Sequence, residues 1–148
     1  MKDTFKVYNN EAFVCCVIMK ILSNTNRIDI GRLFLLVSVV LTDKITNDKK
    51  LSISNSINNY INDSQKILRL ISTMYDELLP VILNSLTLLS ENSNIELVEN
   101  NQIVMIKNDF ENISSDRLNN ISDALPAIMR LTNNISTKQL YDNLKITL

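Results

Sequence analysis

The chain has 148 residues, of which 45% are hydrophobic and 21% are charged, and its formal net charge is −1. This length corresponds to one domain, and this composition is typical of a chain with a packed core, which excludes an intrinsically disordered protein. The isoelectric point near 5.4 argues against a protein whose main work is to neutralise nucleic-acid phosphates, because that work requires a basic surface.

The residues that make most tight turns are scarce, with one glycine and two prolines. Sandwiches and barrels need many such turns, so the composition predicts a mainly helical fold. The longest apolar run, residues 33–41, is about half of the roughly 20 residues that a membrane-spanning helix requires. Since the start of the sequence shows no secretory signal, we expect a cytoplasmic protein.

The first predicted helix covers residues 10–23, where apolar side chains recur every three or four positions. It contains Cys15 and Cys16, which are adjacent. A disulfide between neighbouring cysteines is strained, so we interpret both as small core residues. Asp29 can cap a second helix, whose body at 33–41 is apolar on nearly every face. Its β-branched residues would also suit a buried strand, but its length favours a central helix.

The middle of the chain predicts a loop followed by three helices. Residues 42–50 are polar and lysine-rich, as is typical of a loop. Two short helices are expected to meet near Asp63 and Ser64, the first with a weak apolar stripe and the second with a stronger one. Asp76 can cap a further helix that runs to about Glu91, with Pro80 in its first turn or so.

Beyond residue 91 the apolar period changes from helical to alternating. Residues 95–97 and 103–105 flank Asn100 and Asn101, a pair that tolerates the positive φ of a hairpin turn. A helix is predicted at 114–133, kinked or interrupted by Pro126, and a short helix at 137–144.

These elements predict a mainly α fold with one β-hairpin, in a helical, winged-helix-like single domain over residues 1–148. Its parts are a helical core at about 9–92, the hairpin at about 94–107 and C-terminal helices at about 114–146. A helix followed at once by a hairpin is the arrangement of a winged helix, whose last helix and hairpin can face DNA or another protein.

The sequence offers no convincing catalytic constellation. Histidine is absent, and Gly31 is the only glycine, which excludes histidine-activated nucleophiles and a glycine-rich phosphate loop. Asp76 and Glu77 are more simply explained as the acidic start of a helix than as catalytic groups. We therefore expect a protein that is not an enzyme, with no catalytic residues, cofactor or metal site.

Other charged residues are interpreted as solvated. Asp109, Glu111 and Asp116 lack the glycine and ligand spacing of a calcium loop. Arg32 could anchor a buried carboxylate or a partner, but a surface arginine whose stem packs along the fold is the more frequent outcome. Residues 76–91 contain no lysine or arginine and the hairpin offers only Lys107, which is unfavourable for reading DNA.

Segments along nearly the whole chain resemble one bacterial family. They are Val7-Tyr8-Asn9-Asn10-Glu11-Ala12, the apolar helix with Arg32, Leu78-Leu79-Pro80 leading to Leu88-Leu89, the hairpin at 95–106, and residues 124–148. The pattern is similar to the middle component of three-component ABC systems, whose ATPase is SMC-like and which include Lamassu-type anti-phage defence. The chain departs from that family in having Asn9-Asn10 where an Asn-Pro is usual, and in lacking several glycines and a tryptophan.

The resemblance implies a non-catalytic adaptor that links an SMC-like ATPase to an effector, often a nuclease, in an anti-phage complex. It supplies no catalytic residues and implies that DNA is reached only through the complex, with no membrane and no small-molecule substrate. The alternatives are a stand-alone helical protein-binding module of viral origin and a winged-helix DNA-binding regulator. As partner contacts we select Ile103 and Met105 of the hairpin; the alternative is that both cover the protein's own core.

Overall fold

The computed structural model describes the backbone of residues 2–61 and 65–147, and the side chains of these residues from Glu11 onward. The described elements, in chain order, are α1 (Lys2–Thr25), β1 (Arg27–Asp29), α2 (Ile30–Val40), α3 (Asp43–Thr46), α4 (Ile57–Ile61), α5 (Gln65–Glu91), β2 (Ile95–Val98), β3 (Gln102–Met105), α6 (Asp116–Thr132) and α7 (Thr137–Asn143). A 3-10 turn covers Lys49–Leu51. The fold is thus mainly helical with one small antiparallel sheet, and it fits a single small domain.

The core is centred on α1 and α2, which pack against each other and against α5 and α6. Helix α1 is longer than the predicted 10–23, and its buried face includes Val17 and Ile18. Cys15 and Cys16 lie in this face, 2% and 5% exposed, which confirms them as core residues. In α2, every residue from Leu35 to Val40 is buried, so the prediction of a central buried helix is confirmed.

The start of α2 has the predicted cap. The Asp29 carboxylate accepts a hydrogen bond from the backbone N–H of Arg32 at 3.0 Å, satisfying one donor of the first turn. Helix α7 packs beside this turn, where a Cβ at Gly31 would lie 3.6 Å from the Thr137 methyl carbon, an ordinary van der Waals distance. The Tyr141 hydroxyl donates to the Gly31 carbonyl oxygen at 2.8 Å, which ties α7 to α2.

The prediction of a loop at 42–50 is wrong in part, since this stretch contains α3 and the start of the 3-10 turn. Ile45 and Leu51 are 0% and 3% exposed, and burying such side chains stabilises local structure that the polar composition disfavours. The Thr46 hydroxyl also donates to the Val40 carbonyl oxygen at 2.6 Å, holding α3 against the end of α2.

Helix α5 replaces two of the predicted helices. It begins at Gln65 and continues to Glu91 through Asp76 and Pro80, so the predicted helix start at Asp76 is wrong. A proline inside a helix costs about 3 kcal/mol, but buried side chains continue on both sides of it, each worth roughly 1.5–3 kcal/mol for a large apolar residue. These buried residues are Ile71, Tyr75, Leu78, Ile82, Ser85, Leu86 and Leu89. The predicted junction near Asp63 and Ser64 lies outside the described residues.

The predicted hairpin is confirmed, and its turn uses Asn100 and Asn101 at φ values of 62° and 57°. The sheet has a third strand, β1, in a stretch where no strand was predicted. Strand β1 pairs antiparallel with β3, which gives the order β1-β3-β2 with β3 in the centre. Ile103 of β3 is paired with Ile28 on one side and with Leu97 on the other.

The C-terminal helices lie where the sequence places them. Ser115 caps α6, which continues through Pro126 without interruption. Helix α7 starts with a capping box in which the Ser136 hydroxyl accepts from the Gln139 backbone N–H at 3.1 Å.

Arg32 is not a solvated surface arginine, contrary to the sequence interpretation. Its guanidinium is half-buried and donates to the carbonyl oxygens of Thr132 and Ile135 and to the Thr137 hydroxyl. The Arg32 guanidinium therefore binds main-chain oxygens of its own chain, whereas the sequence suggested a buried carboxylate or a partner as what it could anchor. In the part of the chain that the structure describes, no helix combines the length and apolar character needed to cross a membrane.

Candidate protein-binding groove

The C-terminal half of α5 and the hairpin enclose an open groove of about 350 Å³, here named the α5–hairpin groove. It is lined by Ile30, Leu83, Leu86, Thr87, Ser90, Glu91, Ile95, Leu97 and Ile103. Six of these nine side chains are aliphatic, and Glu91 is the only charged one. The groove is therefore suited to apolar side chains rather than to a charged small molecule.

The helical wall of the groove follows from the period of the α-helix. Leu83, Leu86 and Ser90 are separated by three and four residues, so they lie along one face of α5. Leu86 is 8% exposed and belongs to the core, whereas Leu83 is 52% exposed. The groove thus continues the buried stripe of α5 onto the protein surface.

The other wall is one face of the sheet. Ile95 and Leu97 are two residues apart on β2 and project from the same face as Ile103, the strand partner of Leu97. Ile95 and Ile103 are 5% and 2% exposed and form the floor, while Leu97 is 61% exposed at the edge. Leu83 and Leu97 are therefore large apolar side chains that face solvent in one groove.

The structure does not bring both predicted contact residues to the groove. Ile103 lines it from below but is part of the hydrophobic core. Met105 is half-buried, packs against that core and is not among the lining residues. The assignment of Ile103 and Met105 as partner contacts stays a prediction.

Sequence reasoning missed the two exposed leucines. Leu83 lies in the helix predicted to run to about Glu91, and Leu97 in the alternating pattern of the predicted hairpin. Buried and interface residues share the same periodicity, so the pattern alone does not separate them. One feature of the sequence does mark this region as unusual: residues 70–106 contain no lysine or arginine.

A second apolar groove, of about 430 Å³, lies where α1 meets the segment before α6. Phe13, Phe110, Ile113 and Leu118 are among its lining residues, and Ile113 is 46% exposed. The Arg117 guanidinium lies 4.9 Å from the centre of the Phe13 ring, a cation–π contact. Because its apolar surface is partly covered by this contact, the second groove is the weaker candidate.

The carboxylates considered above as catalytic or metal-binding groups are dispersed in the fold. Asp76 and Glu77 are exposed in the interior of α5, so they do not form its acidic start. The Asp109 carboxylate pairs with the Lys107 ammonium at 3.2 Å, both about half exposed. Among the described residues, no group of three or more histidine, cysteine, aspartate or glutamate side chains could hold a metal ion.

Both thiols are poor nucleophiles in the fold. Burial raises the pKa of Cys15, and a hydrogen bond with the Ser85 side chain opposes this only in part. Burial also raises the pKa of Cys16, with Lys20 acting in the opposite direction. Raised pKa values lower the thiolate fraction at neutral pH, which is unfavourable for covalent catalysis.

Comparison of the chain with protein-family models, with curated proteins and with solved structures finds no match.

Proposed function

We propose that the chain is a non-catalytic adaptor subunit of a cytoplasmic bacterial anti-phage complex. In this proposal it binds the SMC-like ATPase of a three-component ABC system through the α5–hairpin groove and links that ATPase to an effector, with a nuclease as the expected effector. The proposal is supported by the resemblance to the middle component of such systems, which extends over nearly the whole sequence. The structural observation that carries it is the solvent exposure of Leu83 and Leu97 in one apolar groove.

Exposed leucines that line a concave surface favour protein binding for a physical reason. Burying apolar surface contributes roughly 25 cal/mol per Å², and a groove concentrates this gain because one partner side chain is covered on several sides. Single exposed apolar residues are ordinary on protein surfaces, whereas contiguous ones mark interaction sites. Leu83 and Leu97 are contiguous with the core through Leu86, Ile95 and Ile103.

The order of the elements supports protein contact over DNA contact. In a winged helix, a strand between the first two helices pairs with the last strand of the hairpin, and β1 pairs with β3 here. If the chain is a winged helix, α5 and the hairpin take the positions of the DNA-reading helix and the wing. Residues 70–106, which include β2, β3 and most of α5, contain no lysine or arginine. DNA-reading surfaces depend on such side chains, which disfavours the DNA-binding regulator.

The sheet also disfavours the alternative of a viral helical module. Proteins that hold a partner helix in an all-helical groove have no need for a strand pair after their fifth helix. Here the hairpin provides one wall of the groove through Ile95 and Leu97. A bacterial adaptor with a mixed helix–sheet surface accounts for both elements.

The proposal is tested by purifying the tagged full chain from cells that also express its neighbouring genes, followed by peptide identification and native mass determination. We expect an SMC-like ATPase and an effector to co-purify in defined stoichiometry. Recovery of the chain without an ATPase would contradict the adaptor role. Binding of duplex DNA by the isolated chain, with a steep loss of affinity as salt rises, would favour the DNA-binding regulator instead.

A further inference from the structure

We infer that the partner segment seated in the α5–hairpin groove is an amphipathic helix whose apolar stripe is flanked by lysine or arginine. This inference rests on the proposed function, in which the groove is the partner site, and adds the chemistry of the segment that occupies it. The inference is based on the stretch of chain that lines most of this apolar groove, which has acidic residues and no basic ones.

The charge distribution along the sequence is strongly uneven around the groove. All fifteen lysines and arginines lie outside residues 70–106, although the whole chain has a net charge of only −1. The stretch 70–106 supplies every lining residue of the groove except Ile30, and its five charged residues are all acidic. These are Asp76, Glu77, Glu91, Glu96 and Glu99.

Two of these acids, Glu91 and Glu99, are exposed on the two elements that form the walls. Glu91 lines the groove at the C-terminal end of α5, where the helix dipole adds negative potential. Glu99 is exposed in the turn of the hairpin. Glu96 alternates with Ile95 and Leu97, so it projects from the opposite face of the sheet, which also carries Arg27. The ion pairs formed by the described side chains are Lys107–Asp109 and Asp43–Arg117, so none of the groove acids takes part in one. A partner that approaches the groove therefore meets the negative charges of Glu91 and Glu99 at its ends, which attract a basic segment and repel an acidic one.

The dimensions of the groove fit a helical segment. The α5 wall extends from Leu83 to Glu91, which is about 12 Å at the helical rise of ~1.5 Å per residue. This is a little over two turns, the length over which a helix presents apolar residues at i, i+3, i+4 and i+7 on one face. The volume of about 350 Å³ accommodates a few aliphatic side chains, with the flanking cations left at the rim.

The chain offers matched control positions for the test. Leu83 and Leu88 are both on α5, 52% and 40% exposed, but Leu88 does not line the groove. Leu97 and Ile106 are both in the hairpin region, 61% and 56% exposed, and Ile106 does not line the groove either. Replacing any of these four exposed side chains by aspartate leaves the core intact. A difference in binding between the groove variants and the control variants therefore shows whether the peptide binds in the groove.

The experiment is a fluorescence-anisotropy titration of the full chain with two synthetic amphipathic helical peptides. Both have leucine at i, i+3, i+4 and i+7, and their flanking residues are all lysine in one and all glutamate in the other. We expect the lysine peptide to bind at least about tenfold more tightly than the glutamate peptide, with a preference that shrinks as salt rises. Leu83→Asp and Leu97→Asp should weaken its binding by about tenfold or more, and Leu88→Asp and Ile106→Asp by much less.

Equal affinity for the two peptides, absence of binding by both, or equal losses in the groove and control variants would overturn the inference. The peptide titration and the co-purification test different claims, and either can fail without the other. If the ATPase co-purifies but the peptides are not discriminated, the adaptor role stands and the basic helix is wrong. If the lysine peptide binds selectively in the groove but no ATPase is recovered, the chemistry of the groove stands and the adaptor role is wrong.

Discussion

Arg32 and Thr132 are 100 residues apart in the chain, yet the Arg32 Nη1 atom donates to the Thr132 carbonyl oxygen at 2.8 Å. The same guanidinium donates to the Ile135 carbonyl oxygen and, through Nε, to the Thr137 hydroxyl at 3.3 Å. It therefore joins the start of α2 to the turn between α6 and α7. Burial lowers the pKa of Arg32, and the Asp29 carboxylate opposes this change.

Replacing Arg32 by methionine should lower the free energy of unfolding by about 1–3 kcal/mol, because partly buried carbonyl oxygens lose a charged donor. Arg32→Lys should recover only part of this loss, since an ammonium lacks the planar fork that reaches several acceptors. Urea unfolding measures both effects, with Arg27→Met at an exposed position of β1 as the control. Equal stabilities for the Arg32 and Arg27 variants would show that the guanidinium contacts contribute nothing.

The hairpin turn should be sensitive to the shape of the side chain at position 101. Asn101 has a φ of 57°, a left-handed conformation that costs most residues about 1–2 kcal/mol. We expect Asn101→Val to destabilise the chain by about that amount, and Asn101→Gly to leave stability the same or slightly higher. Thermal unfolding of the two variants compares them directly. A valine variant as stable as the glycine variant would contradict the assigned turn.

Reactivity of the two cysteines should depend on folding. A raised pKa means less thiolate at any given pH below it, and both side chains are also shielded by burial. We expect iodoacetamide at mildly alkaline pH to modify Cys15 and Cys16 slowly in the native chain and rapidly in urea, followed by intact-mass measurement. Modification at the same rate in both conditions would show that the first helix does not bury them.

The sequence predicted elements whose determinants are local. The hairpin was predictable because Asn100 and Asn101 tolerate positive φ and the flanking residues alternate. The predicted cap at Asp29 depends on a contact three residues ahead and also forms. Leu144 closes the final predicted helix at 137–144 as the cap residue of α7.

The missed elements depend on distant contacts. Strand β1 is three residues long and exists through pairing with β3, from which it is separated by about half of the chain. The continuity of α5 through Pro80 depends on burial against α1 and α2, which outweighs the local effect of the proline. The exposure of Leu83 and Leu97 follows from the way the hairpin packs beside α5, so the groove could not be predicted from helical or alternating periodicity alone.

The central claim is that the α5–hairpin groove binds the ATPase, and the most direct measurement compares Leu97→Asp with Ile106→Asp in the co-purification. The two positions have similar exposure and only Leu97 lines the groove. The proposal predicts that Leu97→Asp reduces the recovered ATPase by about tenfold or more while Ile106→Asp retains it, with both chains unfolding at the same urea concentration. Full recovery of the ATPase with Leu97→Asp would contradict the groove as the interface.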